Sequence, residues 1–377
     1  MSGIVIIGAG KTGRGFIGRL VHESGLGFTL IDKDKALIDR LNTSGEFKVG
    51  LFSGARETIK LNNFTAVHTD DAAACRAFED CELVFVSVGG TNIADVGAYL
   101  ASMVRHRKPD NPFNVILCEN ASKPAEKCRA AFEAALPGGY EADIAGISQA
   151  TVFCTTIDDG ESDILSENYP VLQVDRTLLR CELPAVRAVQ LIDDFESLLD
   201  RKLYTYNSAS AVIAYLGWWK GYLLYSDAAN DPQIRAYLDK MYTEIENAIC
   251  EEYGYTHEDQ QQFAALSLKK FTDKGIVDDI ARNAREPHRK LGPGERITGP
   301  AKLVHKHGGD VGIFALTAAA AMLYEDKPGS DWEAIKAAAS PQQLIETYCS
   351  LEADSDIAGQ ILSAYDALKR SPKGILL

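Results

Sequence analysis

Residues 3–34 read GIVIIGAGKTGRGFIGRLVHESGLGFTLIDKD, and the order of residue types along this stretch decides the fold. Ile4 to Ile7 form a short apolar run of the kind that makes a buried strand. Gly8, Gly10 and Gly13 follow as a glycine-rich turn. Phe16, Ile17, Leu20 and Val21 then fall at helical spacing. Phe28 to Ile31 make a second apolar run, and Asp32 ends it. The stretch predicts strand, turn, helix and strand, with an acid at the tip of the second strand.

Each of these residues has a physical task if the turn holds a dinucleotide. Gly8 lets the chain reverse tightly, Gly10 lets the backbone approach a pyrophosphate, and Gly13 lets the helix pack close to the strand. Ala9, Lys11 and Thr12 complete the loop. The helix N-terminus offers unpaired N–H groups and partial positive charge to the phosphates. Asp32 stands about 20 residues on, where a carboxylate accepts both ribose hydroxyls. A carboxylate there repels a 2′-phosphate and favours NAD, while the adjacent Lys33 leaves room for NADP. Gly10-Lys11-Thr12 also imitates the end of a nucleotide-triphosphate loop, but that motif needs glycine at position 5, which is Val5.

Composition narrows the partners. The 377 residues suffice for two domains with ample core. The net charge of −14 argues against nucleic acid, although a local arginine cluster can still oppose the global sign toward an anionic small molecule. The eight cysteines are scattered, with no CxxC pair or Cys/His cluster, so neither a disulfide framework nor a metal site is expected. The first apolar run begins at Ile4, which is expected to leave no room for a signal peptide. No run approaches the roughly 18 apolar residues of a membrane span. A reduced, cytoplasmic protein acting as a monomer or small homo-oligomer is expected.

Further along, helices are expected over 35–45, 70–80, 93–105 and 122–136, and strands over 83–88, 113–117, 144–157 and 170–180. Residues 46–70 read as short strands or a hairpin. Val88 and Gly89 close the 83–88 run, and Glu119 and Asn120 follow the 113–117 run. The carboxyl ends of parallel strands are where a dinucleotide's reactive half lies. After Pro184 the pattern turns helical, over 185–205, 207–226, 232–254, 258–271, 274–285, 310–325, 331–338, 341–350 and 354–368. The expectation is an α/β architecture: a Rossmann-type doubly wound sheet over 1–187, a mostly α-helical substrate domain over 188–377, and the site in the cleft between them.

Several stretches carry a family likeness. Gly8 to Gly18 (GAGKTGRGFIG), Cys118-Glu119-Asn120, Arg201 to Asn207 (RKLYTYN) with Ala214 to Gly217 (AYLG), and Arg289-Lys290-Leu291 with Arg296 occur in order. In these the chain resembles the mannitol dehydrogenase family, the polyol-specific long-chain dehydrogenases. The likeness runs to about residue 325, with the remainder read as an extension. It implies metal-independent hydride transfer between NAD and a sugar alcohol or its phosphate, with Lys202 as general base. Asn120 and Asn207 would donate to the developing alkoxide.

The family signature is Lys, four residues, Asn, two residues, His. Here Lys202 and Asn207 hold the first two places and Ser210 the third. The family's Asp-Arg pair falls, by an ungapped reading, on Phe153 and Cys154. These departures imply retained chemistry and a changed substrate. On one regular helix, positions 202 and 207 lie about 140° apart at 100° per residue. They converge only if the helix breaks or bends, and Asn207 is able to cap a new helix.

Arg282, Arg285, Arg289, Lys290 and Arg296 form the one basic concentration. Arg285, Arg289 and Lys290 suit a phosphate or carboxylate of the substrate, and His288 among them is a candidate stand-in for the missing histidine. Salt bridges within the domain are the alternative. Trp218, Trp219 and Tyr222 read as helix packing. Beside the polyol reading stand a sugar-acid dehydrogenase and a non-catalytic NAD-binding sensor. A sensor has no need of a general base.

Overall fold

The computed structural model describes residues 3–52, 57–159 and 163–376. The chain divides into two compact units, Met1–Phe195 and Glu196–Leu377.

Among its described residues the first unit has twelve strands: β1 (Ile4–Ile7), β2 (Phe28–Asp32), β3 (Phe47–Leu51), β4 (Thr58–Leu61), β5 (Phe64–His68), β6 (Leu83–Val86), β7 (Phe113–Leu117), β8 (Ala145–Thr151), β9 (Thr156–Asp158), β10 (Ile164–Ser166), β11 (Leu172–Asp175) and β12 (Val189–Ile192). Eight of them form one sheet in the order β12-β11-β8-β7-β6-β1-β2-β5. Every neighbouring pair is parallel except β8 with β11. This is a Rossmann-type doubly wound sheet. Along β1, Ile4 and Ile6 face one hydrophobic cluster while Val5 and Ile7 face another. A strand buried on both faces reads as a continuous apolar run for that reason. Each of these side chains contributes about 1.5–3 kcal/mol on burial.

The connections follow local chemistry. The helix Lys35–Ser44 starts at Asp34, whose carboxylate accepts from the Leu37 N–H, and stops at Gly45 in the left-handed region, φ 65°. The helix Pro124–Ala135 carries proline in its first turn, where the missing N–H costs nothing.

In a second sheet, β4-β3-β10-β9, the β3–β4 antiparallel pair lies in the stretch read as short strands or a hairpin, while β9 and β10 depart from the sequence expectation. The apolar run 144–157 is not one strand: β8 ends at Thr151, and β9 leaves to pair antiparallel with β10. This small sheet abuts the start of the first helix. A Cβ on Gly15 would lie 2.3 Å from Ile164 Cγ2, so glycine there admits the sheet.

The second unit is helical, with Ser208–Trp219, Pro232–Tyr253, His257–Thr272, Gly312–Leu323 and Asp356–Arg370 as its longer helices. Its core joins Tyr215, Ile234, Met241, Phe314 and Trp332. Trp218 and Trp219 pack here as expected, and the Trp219 indole donates to the Ile375 carbonyl at 2.9 Å.

Three further expectations need correction. Residues 185–205 do not make one helix: Val189–Ile192 is an edge strand on β11, and the helix begins at Phe195. Its half-exposed residues carry no clean two-residue alternation, so the strand is hidden in the sequence. A helix at Thr298–Lys306 lies where none was expected. Gly299 and Pro300 disguise it, although proline is at home in a first turn. In 274–285 only Ile280–Ala284 is helical, after Leu224 and Asp279 bridge as extended chain. No helix among the described residues is long and apolar enough to cross a membrane.

Candidate functional site

In the first unit, the turn after β1 has the shape the glycines anticipate. Gly8 takes φ +97°, and a Cβ on it would fall 2.0 Å from the Ser87 carbonyl oxygen. A Cβ on Gly13 would fall 1.8 Å from the Gly8 carbonyl oxygen. At Gly10 nothing lies within 4 Å of that position, so the backbone there is open to an incoming group. Cramped at 8 and 13 and open at 10, the turn fits a dinucleotide pyrophosphate. The residues after the turn, Gly13–Gly18, coil as a wide π turn before the α-helix resumes.

Asp32 closes the loop from the side. One carboxylate oxygen accepts from the Ala9 N–H at 2.6 Å, and the other from the Asp34 N–H at 2.9 Å. Lys33 is exposed, with its carbonyl near His68 Nε2. Lys11 pairs loosely with Asp158 at 3.9 Å, and the Thr12 hydroxyl stands 3.3 Å from that of Thr156. Arg14, to which no role was given from the sequence, is buried under the loop and donates to the Ala9 carbonyl.

The parallel order places the ends of β6 and β7 at the same edge as this loop. The Val88 and Gly89 N–H groups donate to Glu119 Oε1 at 2.5 and 2.7 Å. Asn120 follows directly, at the end of the β7 turn. Phe153 packs on Tyr169, with ring centres 5.7 Å apart, and Cys154 is buried beside the Ser166 hydroxyl.

In the second unit, Lys202–Asn207 is a π turn between two α-helical segments. The Ser208 N–H reaches back five residues to the Leu203 carbonyl. The helix neither breaks nor is capped at Asn207, which has helical φ and ψ of −74° and −28° and makes no side-chain capping bond. The wider circuit of such a turn brings residues five apart nearer to alignment than a regular α-helix does, which draws Lys202 and Asn207 toward one face.

The turn is anchored to the helix His257–Thr272. The Arg201 guanidinium lies over the Tyr255 and Phe263 rings at 4.2 and 4.4 Å and donates to Gln260 Oε1. Gln260 in turn donates to the Thr205 hydroxyl at 2.8 Å.

Lys202 is buried, and its ammonium is pushed down to about 7, first by burial and then by Lys270 and Arg296. Lys270 was not anticipated, because nothing in the run Lys269-Lys270-Phe271 marks it. Ser210, one turn past Asn207, faces the buried Tyr225 hydroxyl without closing a hydrogen bond of good geometry.

The basic stretch is arranged around Lys290. That lysine is buried, donates to the Asn283 carbonyl and lies over the Tyr215 ring. Burial, then Arg296, Arg289 and Arg285, push it down to about 7. Arg289 is paired with Glu286 and Glu295, and Arg282 with Asp278. Arg285 lines an open groove of about 800 Å³ with His288, Asp326 and Lys327. His288 packs in a three-ring cluster with Trp332 and Tyr348. Arg296, from this stretch, acts on both Lys202 and Lys290. Among the described residues no group of three or more His, Cys, Asp or Glu side chains gathers to hold a metal ion.

Comparison with known proteins extends the likeness. The chain is 28% identical to a mannitol-1-phosphate 5-dehydrogenase of Thermoanaerobacter pseudethanolicus, covering 97% of this chain and 98% of that one. It is 27% identical to that of Bacillus pumilus, covering 94% and 97%. Among solved structures, a D-sorbitol dehydrogenase in substrate-free form superposes with a TM-score of 0.77 at 14% identity, over 98% of this chain and 93% of that one. The mannitol 2-dehydrogenase of Pseudomonas fluorescens, in ternary complex with NAD and D-mannitol, superposes with a TM-score of 0.72 at 16% identity, over 98% and 92%.

The mannitol dehydrogenase Rossmann domain matches residues 2–159, and the mannitol dehydrogenase C-terminal domain matches residues 194–369. The second match overturns the reading of the last fifty residues as an extension. Trp332, Cys349 and Leu368 belong to the helical core. By both halves of its sequence, the chain belongs to the mannitol dehydrogenase family of oxidoreductases.

Proposed function

We propose that the chain is an NAD-dependent dehydrogenase of a polyol or polyol phosphate, with mannitol 1-phosphate the first candidate substrate. The carrying observation is Lys202: a buried lysine, brought down to about 7, on a π turn that draws Asn207 toward the same face. A lysine in that state is a proton acceptor at neutral pH. The near full-length likeness to mannitol-1-phosphate 5-dehydrogenases supports the substrate class.

NAD, when bound, supplies the hydride acceptor. The chain's own residues do the rest. Gly8 to Gly13 admit the pyrophosphate, and Asp32 accepts the ribose hydroxyls. Lys202 Nζ takes the proton of the substrate hydroxyl. Asn207 donates to the oxygen as it gains charge, and Ser210 donates to a neighbouring hydroxyl. Lys270 and Arg296 add positive charge beside Lys202, which suits an anionic substrate, whether phosphate or sugar acid. A sensor would gain nothing from burying a lysine in this way.

The test is a panel read at 340 nm. It follows NAD reduction with mannitol 1-phosphate, free polyols and sugar acids, and NADH oxidation with fructose 6-phosphate. Turnover with the mannitol 1-phosphate pair is expected. Turnover with a sugar acid alone would move the substrate to that class, and silence throughout would overturn the enzyme reading.

A further inference from the structure

The Glu119 carboxylate is engaged within the protein. Oε1 accepts from both Val88 N–H and Gly89 N–H. The Val88 carbonyl is fixed from the other side by Asn92 Nδ2 at 2.8 Å. Gly89 has φ +86°, and Gly90 lies so close to Ala121 that a Cβ would stand 3.1 Å from the alanine's own. One side chain therefore ties the turn after β6 to the turn after β7, and the next residue along is Asn120.

We infer that Glu119 is a positioning residue: it latches these two strand-end turns into a preformed edge for the nicotinamide half of the dinucleotide. The inference rests on the dinucleotide reading above. Two successive glycines make the Gly89-Gly90 turn intrinsically loose. Without the latch that turn must be ordered at the moment of binding, which lowers affinity. The adenosine half meets different groups, Gly8 to Gly13 and Asp32, and does not depend on Glu119. Burial holds the Glu119 carboxyl above its ordinary value, against the pull of the two amides.

The experiment compares NADH with ADP-ribose, which lacks the nicotinamide, by calorimetric titration of full-length protein. Glu119→Ala is expected to weaken NADH about 10- to 100-fold, as for two lost hydrogen bonds, and to leave ADP-ribose within about 2-fold. Glu119→Gln, whose amide oxygen accepts from both N–H groups, is expected to recover most of the loss. It also serves if the alanine variant fails to fold. Unchanged NADH binding in Glu119→Ala, a parallel fall for both ligands, or no recovery in Glu119→Gln overturns the latch. Wild-type protein that binds neither ligand overturns the dinucleotide reading, and the latch with it.

Discussion

Lys202 and Asn207 stand five residues apart on an uninterrupted helical run, and the wider π turn between them draws the two toward one face. On a regular α-helix the same pair would point about 140° apart. A π turn hydrogen-bonds less favourably than the α-helix around it, and such turns occur at functional sites. Here Arg201 and Thr205, lashed to the helix His257–Thr272, hold it in place. The distortion draws Lys202 and Asn207 toward one face of one element.

If Lys202 is the base, its protonation sets the direction of the pH response. Alcohol oxidation needs the neutral amine, so kcat/KM should rise as pH increases through about 7 and then level. Carbonyl reduction needs the ammonium and should fall across the same interval. Lys202→Met should lose about 10²–10⁴-fold in turnover and keep NADH affinity within a factor of a few. Steady-state profiles in both directions check this, and a pH-independent rate would remove Lys202 from the role.

Asn207 separates a catalytic from a structural role, because it makes no capping bond. Asn207→Ala should therefore change stability by no more than about 0.5 kcal/mol. It should lower kcat by about 10²–10³, the usual loss of an oxyanion donor. Thermal melting and initial rates on the same preparation decide. A large fall in melting temperature with little change in kcat would make Asn207 structural.

Much of the first unit was legible because its strands are buried on both faces and its glycines are forced. Val5 and Ile6 face opposite clusters, and Gly8 and Gly13 stand where no side chain fits. Of the small sheet, the β3–β4 pair was legible as short strands or a hairpin and the β9–β10 half was not. Thr156–Asp158 and Ile164–Ser166 are three residues each, and the strand that joins them to the sheet, Phe47–Leu51, lies far back along the chain. The π turn was not legible either, since Lys202 to Asn207 reads as an indifferent helix former and the anchors Gln260 and Arg201 are tertiary. The basic stretch was visible as composition. That Lys290 is buried beneath it, and that Glu286 and Glu295 answer Arg289, depends on the fold.

Asp32 holds two backbone N–H groups as well as standing where a ribose is expected. Asp32→Ala should weaken NADH by about 10- to 100-fold, as for losing charge-assisted hydrogen bonds. It should also narrow the preference for NADH over NADPH, since the charge that repels a 2′-phosphate is gone. Fluorescence titration with both nucleotides measures this. Unchanged discrimination would place the ribose elsewhere.

Lys290 carries a separate signature in stability. Unfolded, a lysine titrates near 10.4, whereas burial and the arginines around it hold Lys290 at about 7. Between these values the unfolded chain binds a proton that the folded chain does not, so stability from this group grows as pH rises from 7 toward 10. Below 7 both states are protonated and the full penalty of burying the charge remains. Lys290→Met removes the charge and also the bond to the Asn283 carbonyl. The variant should therefore melt above wild type at pH 6, by about 2–4 °C for each kcal/mol gained, and lose that advantage by pH 9. Lys202 contributes the same slope to both proteins and cancels in the difference. Calorimetric scans at the two pH values measure it, and a difference that does not change with pH would show that Lys290 keeps its proton throughout.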